Sequence, residues 1–267
     1  MPLLHILVLA LVQGITEFLP ISSSGHLILV PVFTGWPDQG LAIDVAAHVG
    51  TLAAVLLYFW RDIARMLAGL GRLAAGQTDP GAQLAGYLLI ATIPALIVGY
   101  LIEHHLGGGP RQLEVVGWSL ILFGVLLHLA DKAGLRVRRV EHMTMSHAVI
   151  VGCAQVCAFL PGTSRSGVTM TAARLLGYER AEAARFSFLL SIPAIGAAGL
   201  WKGLELYRAG DAAMLETAGF AAAFSAVAGF LAIAVLMRWL RRSSFAPFVV
   251  YRLLLGGFLL YVVYTAG

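Results

Sequence analysis

The 267 residues are 59% hydrophobic and only 12% charged, with a mean hydropathy of +0.85. A water-soluble domain of this length carries about 25% charged residues, so the composition excludes a soluble enzyme and points to a single integral membrane domain over residues 1–267. The net charge of +4 does not indicate a nucleic-acid partner, because the Lys and Arg residues sit in short loops between apolar runs and form no basic face.

In chain order, Leu3–Leu19 is apolar and should end at Pro20. It is too short and too polar at its end to span a bilayer. It has no basic leader, and the apolar run passes straight into Gln13 and Glu17, so no cleavable signal is expected. A second short apolar piece, Gly25–Phe33, follows the run Ser22-Ser23-Ser24. Two short helices around a polar turn read as a re-entrant hairpin, and non-helical backbone at that depth is tolerated only where protein or a wet cavity covers it. Three segments of spanning length come next, about Leu41–Trp60, Leu84–Ile102 and Leu113–Ala130. Met145–Leu160 and Gly167–Leu176 then form a second short pair around PGTSRS, and three more spans follow, about Ala184–Trp201, Leu215–Trp239 and Phe248–Tyr264.

The second half repeats the first. Phe18-Leu19-Pro20 aligns with Phe159-Leu160-Pro161 and, after one gap, Ser24-Gly25 aligns with Ser166-Gly167. Ile93-Pro94-Ala95 and Ile192-Pro193-Ala194 echo each other, followed by Gly99 and Gly199. The expected fold is therefore an all-α polytopic membrane protein: six spanning helices plus two re-entrant helical hairpins, arranged as two inverted-topology repeats, about residues 1–131 and 145–267. A hairpin returns to its own side and three spans do not, so the second half enters from the opposite face. Such architectures place a site near the midplane, at the tips of interrupted helices.

Loop charge sets the orientation. One side would hold Arg61, Arg65, Arg72, Lys132, Arg136, Arg138, Arg139, Arg174, Arg180, Arg185, Arg238, Arg241 and Arg242, the other only Arg111, Lys202 and Arg208. Thirteen against three makes the first side cytoplasmic and puts both termini outside. Arg252, near a cytoplasmic helix start, is expected to snorkel to the interface. Cys153 and Cys157 are expected as small buried residues rather than a redox pair. His104, His105, His128, His142 and His147 fall at or near loops and are expected to be solvated, and Gly107–Pro110 is expected to be structural. His48 is left open between lining a cavity and packing or gating.

The chemistry-bearing residues stand out because nothing about a lipid solvent asks for them. Gln13 and Glu17, four apart, share one helix face. An acid in a membrane helix costs about 2.5–3.5 kcal/mol even on the lenient insertion scale, less near the interface. Either Glu17 reaches water at an interface, or it serves as a proton acceptor or as a ligand, with the Gln13 amide oxygen, for a hard divalent cation such as Mg²⁺ or Ca²⁺. One carboxylate binds such an ion weakly, so substrate phosphates would complete the shell. Ser22, Ser23 and Ser24 exceed what a helix cap needs, and free amides at a helix N-terminus favour an anion. His26 is a candidate nucleophile or proton shuttle, with a buried structural histidine as the plainer reading. In the second turn, Ser164 and Ser166 flank Arg165, whose donor fork matches phosphate oxygens and which can pair with Glu17 when no substrate is bound. Thr169, one turn beyond Ser166, either faces the same cavity or packs. Together these parts suit binding and cleaving a pyrophosphate, with the surrounding apolar helices implying a lipid substrate.

At this point the residues resemble a known family. QGITEFLPISSSGHL at Gln13–Leu27 and GTSRSG at Gly162–Gly167 closely resemble the two signatures of bacterial undecaprenyl-diphosphate phosphatases, the bacitracin-resistance family, and FSFLLSIP at Phe186–Pro193 is also similar. The resemblance covers essentially the whole chain. It implies hydrolysis of undecaprenyl diphosphate to undecaprenyl phosphate and inorganic phosphate with a divalent cation, recycling the carrier for peptidoglycan synthesis and conferring bacitracin resistance. It also implies a place in the bacterial plasma membrane with the active site open to the periplasm. Glu17, His26 and Arg165 fall on the family's essential acid, histidine and arginine, and Ser23 on a serine proposed as nucleophile. Gln13 stands where the pattern admits Glu or Gln and leaves one carboxylate fewer for a metal. Ser24 stands where Thr is common. The expected catalytic set is thus Glu17, Ser23, His26 and Arg165, with Gln13, Ser22, Ser24, Ser164, Ser166 and Thr169 binding substrate. Ser23 and His26 both remain open as the attacking group. A homodimer is compatible with the sequence. A polyprenyl-phosphate flippase is the rival reading, since inverted repeats with broken helices are a transporter architecture. A phosphatidate-type acid phosphatase would need a His beyond Arg165, and none occurs before Leu190.

Overall fold

The structure is a computed structural model that describes residues 2–106, 112–209 and 212–266; Arg111, Gly107–Pro110 and the Lys202 side chain lie outside the described set. Among the described residues there are eleven α-helices and no strand. Two short helices open the chain: α1 (Leu3–Phe18) stops where Leu19 turns extended ahead of Pro20, and α2 (Ser23–Thr34) ends on Gly35 in the left-handed conformation. Next come α3 (Gly40–Tyr58), α4 (Trp60–Ala74), α5 (Pro80–Leu106) and α6 (Leu113–Ala133). The second short pair is α7 (Met145–Gln155), continued by a 3-10 turn over Val156–Phe159, and α8 (Arg165–Leu175). Three long helices close the chain: α9 (Arg180–Ala209), α10 (Ala212–Leu240) and α11 (Ala246–Ala266).

Five helices, α3, α5, α6, α10 and α11, are long and apolar enough to cross a membrane. The sixth expected span lies within α9, which is long enough but opens with Arg180, Glu182 and Arg185. The outward faces are apolar: Leu57, Leu89, Leu122 and Leu254 are all exposed, as a lipid solvent requires and water does not. This is a multi-pass membrane protein.

Two expectations need correction. Trp60–Ala74, read as a loop because it carries Arg61, Arg65 and Arg72, is the helix α4. Its apolar residues recur at helical spacing and it buries Met66 and Gly69 against α5; strong amphipathicity with a charged face suits a helix lying in the membrane interface. Cys153 is exposed and Cys157 half-buried, both as free thiols, because α7 turns Ala148, Val151, Gly152 and Gln155 inward instead.

The packing is built on small residues. α10 lies along α1 and α3, α9 along α3, α7 along α5, and α11 along α6. A Cβ added at Gly50 of α3 would run into the Ala222 carbonyl of α10, and one at Gly14 of α1 would stand 2.5 Å from Ala228 Cβ of α10. Lipid tails are as apolar as Leu, so such close backbone approach is what drives helices together in a membrane.

The charged loops gather at one end. Asp131 at the end of α6 takes Arg174 at 3.2 Å and Arg180 at 2.6 Å, and accepts from the Phe245 amide at 3.4 Å. Arg185 pairs with Asp62, with Glu141 at 3.1 Å and with Glu182 at 3.2 Å. The start of α7 meets the turn that follows α8 there, with His147 Nδ1 and Tyr178 Oη 2.8 Å apart. The opposite end holds the start of α1, where His5 stacks on Trp36 at 3.7 Å, and the finish of α11, where Tyr264 donates to Glu114 at 2.5 Å. Each short pair therefore enters and returns at one end, the first opposite the second, and their tips meet inside.

Candidate active site

Two turns with the same backbone form the site. Ser22 holds φ 74° and ψ 97°, and Ser164 holds φ 71° and ψ 110°; among the described residues these are the only non-glycine positions with positive φ. Each side chain accepts from the amide three residues on, Gly25 at 3.3 Å and Gly167 at 3.1 Å, and so caps a new helix. Each also meets the hydroxyl two residues on, Ser24 at 3.2 Å and Ser166 at 3.1 Å. In register, Ser23 of the first turn thus stands where Arg165 stands in the second. Residues held in sparsely populated φ/ψ regions cost about 1–3 kcal/mol each and persist where the surroundings over-determine them.

Glu17 lies at the meeting point and is 6% exposed. Its Oε2 accepts from Ser23 Oγ at 2.6 Å and from Gln13 Nε2 at 3.0 Å, and its Oε1 accepts from Arg165 Nη2 at 3.1 Å. The expected Glu17–Arg165 pairing is present. Arg165 also donates to the Ser187 carbonyl at 3.3 Å. His48 Nε2 stands 3.5 Å from Glu17 Oε2 while its Nδ1–H donates to the Asp44 carbonyl at 2.7 Å, which puts an imidazole at the cavity that the sequence left undecided.

A cavity of about 570 Å³ opens over this group. Glu17, Ser22, Ser23, Ser24, Ser164, Arg165 and His48 line its polar end, and Val45, Leu96, Tyr100, Phe159 and Ile195 its apolar remainder. Its shape and lining suit a charged head on an apolar tail.

The other expected residues lie around the cavity without lining it. Gln13 is fully buried behind Glu17. Ser166 turns its hydroxyl to the Glu17 and Leu19 carbonyls, at 3.1 and 3.2 Å, stitching the second turn to the end of α1. The Thr169 hydroxyl sits 2.7 Å from Ser187 Oγ and is fully buried, as a packing residue would be. His26 turns away: its Nδ1–H donates to the Ser22 carbonyl at 2.6 Å, so Nε2 accepts from Tyr251 Oη at 2.6 Å, with the rings stacked along the seam of α2 and α11.

No group of three or more His, Cys, Asp or Glu side chains that could hold a metal occurs among the described residues. The one carboxylate at the site already meets a guanidinium, and the Gln13 Oε1 beside it is buried without a partner. These donors do not by themselves make a cation site.

Arg252 corrects a further expectation. It does not snorkel: it is fully buried, and its guanidinium donates to the carbonyls of Pro20, Gly162, Thr163, Leu120 and Ser119 at 3.0 to 3.3 Å. Its position near a helix start gave no signal of this, because the partners are backbone atoms that sequence does not distinguish.

A family model described as Bacitracin resistance protein BacA matches residues 6–258. The chain is 53% identical to a protein named Undecaprenyl-diphosphatase 1 from Rhodospirillum rubrum, over 99% of this chain and 96% of that one. It is 49% identical to proteins named Undecaprenyl-diphosphatase from Ruegeria pomeroyi and from Dinoroseobacter shibae, over 99% of this chain and 100% of each.

Proposed function

The chain belongs to the bacitracin resistance protein BacA family, and from that membership we propose that it hydrolyses undecaprenyl diphosphate to undecaprenyl phosphate and inorganic phosphate at the Glu17–Ser23–Arg165 cluster. The observation that carries the assignment to this cluster is the 2.6 Å contact from Ser23 Oγ to Glu17 Oε2 beside Arg165, at the polar end of an apolar cavity. A hydroxyl bonded to a carboxylate is the arrangement of an activated nucleophile. Arg165 and the free amides opening α2 and α8 are donors aimed where phosphate oxygens would lie.

Ser23 Oγ attacks the terminal phosphorus as Glu17 takes its proton. The bond from that phosphorus to the bridging oxygen breaks, and undecaprenyl phosphate leaves with the electron pair. Water then attacks the phosphorus of the phosphoserine, the Ser23 Oγ–P bond breaks as Glu17 hands its proton back to Oγ, and the water oxygen with its protons leaves in orthophosphate. Arg165 leaves Glu17 for the incoming phosphate, which frees the carboxylate to act as base. His26, bonded to Tyr251 and the Ser22 carbonyl, is favoured as a support of the first turn over a nucleophile. A divalent cation, Mg²⁺ or Ca²⁺, would arrive with the diphosphate, Glu17 being the carboxylate at hand. It would supply charge neutralisation on the phosphates.

The two halves are proposed as inverted repeats with α9 as the sixth span. The matching turns at Ser22 and Ser164, and short pairs that open to opposite ends, support this. The arginine-rich end is proposed as cytoplasmic, which puts the first hairpin and the cavity on the periplasmic side.

Phosphate release from undecaprenyl diphosphate by purified protein in detergent tests the reading. Wild type should release phosphate, chelator should abolish release, and Arg165→Ala should lower kcat/KM at least about a hundredfold, as loss of a transition-state donor does. No release from well-folded wild type would move the flippase reading to first place.

A further inference from the structure

We propose that Arg252 is a positioning residue for this hydrolysis: it sets the separation of the two hydroxyl turns, and with it the approach of Ser23 to Arg165. The proposal rests on the reading of Glu17, Ser23 and Arg165 as the reacting centre.

One planar guanidinium bridges both turns. Its Nη1 donates to the Pro20 carbonyl at 3.1 Å, just ahead of Ser22, and its Nη2 donates to Gly162 and Thr163, each at 3.0 Å, just ahead of Ser164. Its Nε and Nη2 also hold the Leu120 and Ser119 carbonyls of α6, at 3.1 and 3.3 Å. The rigid fork converts these bonds into fixed distances between three segments that are far apart in sequence. The two turns carry positive φ at Ser22 and Ser164, a conformation that non-glycine residues keep only where neighbours over-determine it. Arg252 bonds the carbonyls that lead into both.

The surroundings are shaped for this group. A Cβ at Gly124 would stand 3.3 Å from Arg252 Cβ, and one at Gly167 3.1 Å from its Nη1. Among the described residues no carboxylate pairs with Arg252, so it is not one half of an ion pair. Burying an unpaired guanidinium is costly, and apolar replacements of buried charges are often as stable or more so. Stability alone therefore does not account for it. Tyr251, the preceding residue of α11, holds His26 on the first turn of α2 at 2.6 Å, so the same helix grips the first turn twice.

The test uses full-length Arg252→Lys and Arg252→Met, each alone and combined with Ser23→Ala, with phosphate release followed over hours so that residual rates are measurable. Gel filtration and thermal midpoints in detergent report folding. Misplacement of a reacting group by about 1 Å costs on the order of a hundredfold. We expect Arg252→Met to lower kcat about a hundredfold with KM changed less than about threefold, and Arg252→Lys to recover under about a tenth of the loss, since an ammonium cannot fork. The double variants should be no slower than Ser23→Ala alone, because residues acting as a unit are non-additive. Unchanged kcat in a folded variant, losses that multiply with Ser23→Ala, or failure of both variants to fold would each overturn the positioning role. A fully active Ser23→Ala would instead sink the reading of the centre itself.

Discussion

Glu17 and Arg165 are 148 residues apart in sequence and 3.1 Å apart in space. Both were recognisable in the sequence because a charge inside an apolar run demands a reason. What the run could not reveal was the strain around them. Ser22 and Ser164 combine a helix cap with positive φ, so two opposing effects meet in one residue. Removing a cap costs about 1 kcal/mol, and glycine tolerates positive φ where a Cβ is penalised. Ser164→Gly should therefore unfold close to wild type in a detergent denaturation series, whereas Ser164→Ala, which keeps the strain and loses the cap, should be about 1 kcal/mol less stable than the glycine variant. Equal stability of the two would mean that the turn is not strained.

At the level of elements, the short helices were legible from Pro20, Pro161 and the serine runs, and the long ones from their apolar length. α4 was not, because its charges resemble a loop until its apolar residues are counted at helical spacing. The 3-10 turn over Val156–Phe159 had no sequence signal beyond the approaching Pro161. Packing between elements depends on close approach at a few small residues. Gly50→Leu would drive a side chain into the Ala222 carbonyl of α10, and overpacking of this kind costs about 1–3 kcal/mol. Gly257, which has nothing within 4 Å of an added Cβ, serves as control: Gly257→Leu should unfold with wild type. Equal effects of the two substitutions would remove the α3–α10 contact as a source of stability.

Over the whole molecule, charge is segregated. Asp62, Asp131, Glu141 and Glu182 gather Arg174, Arg180 and Arg185 at one end, and the loops expected on one side of the membrane meet there. Orientation can be read with a membrane-impermeant maleimide on spheroplasts, after Cys153 and Cys157 are replaced by Ala. Pro37→Cys, at the end where α1 begins, should label from outside, and Leu135→Cys, at the arginine-rich end, should label only after lysis. The reverse pattern would place both termini and the first hairpin on the cytoplasmic face.

The sequence by itself determined the solvent, the helical class and the two polar turns, and it singled out Glu17, Arg165 and the serine run as candidates. Each of these follows from local chemistry: hydropathy, proline and glycine, and polar groups that lipid would otherwise exclude. Only the tertiary structure decided which polar residues share the cavity. His48 enters it, His26 is turned to Tyr251, Thr169 and Ser166 lie behind it, and Arg252 is drawn inside to five carbonyls. The reason is that a side chain's direction depends on which face its helix presents to distant helices, and a buried cation satisfied by backbone oxygens leaves no mark in the residues that supply them.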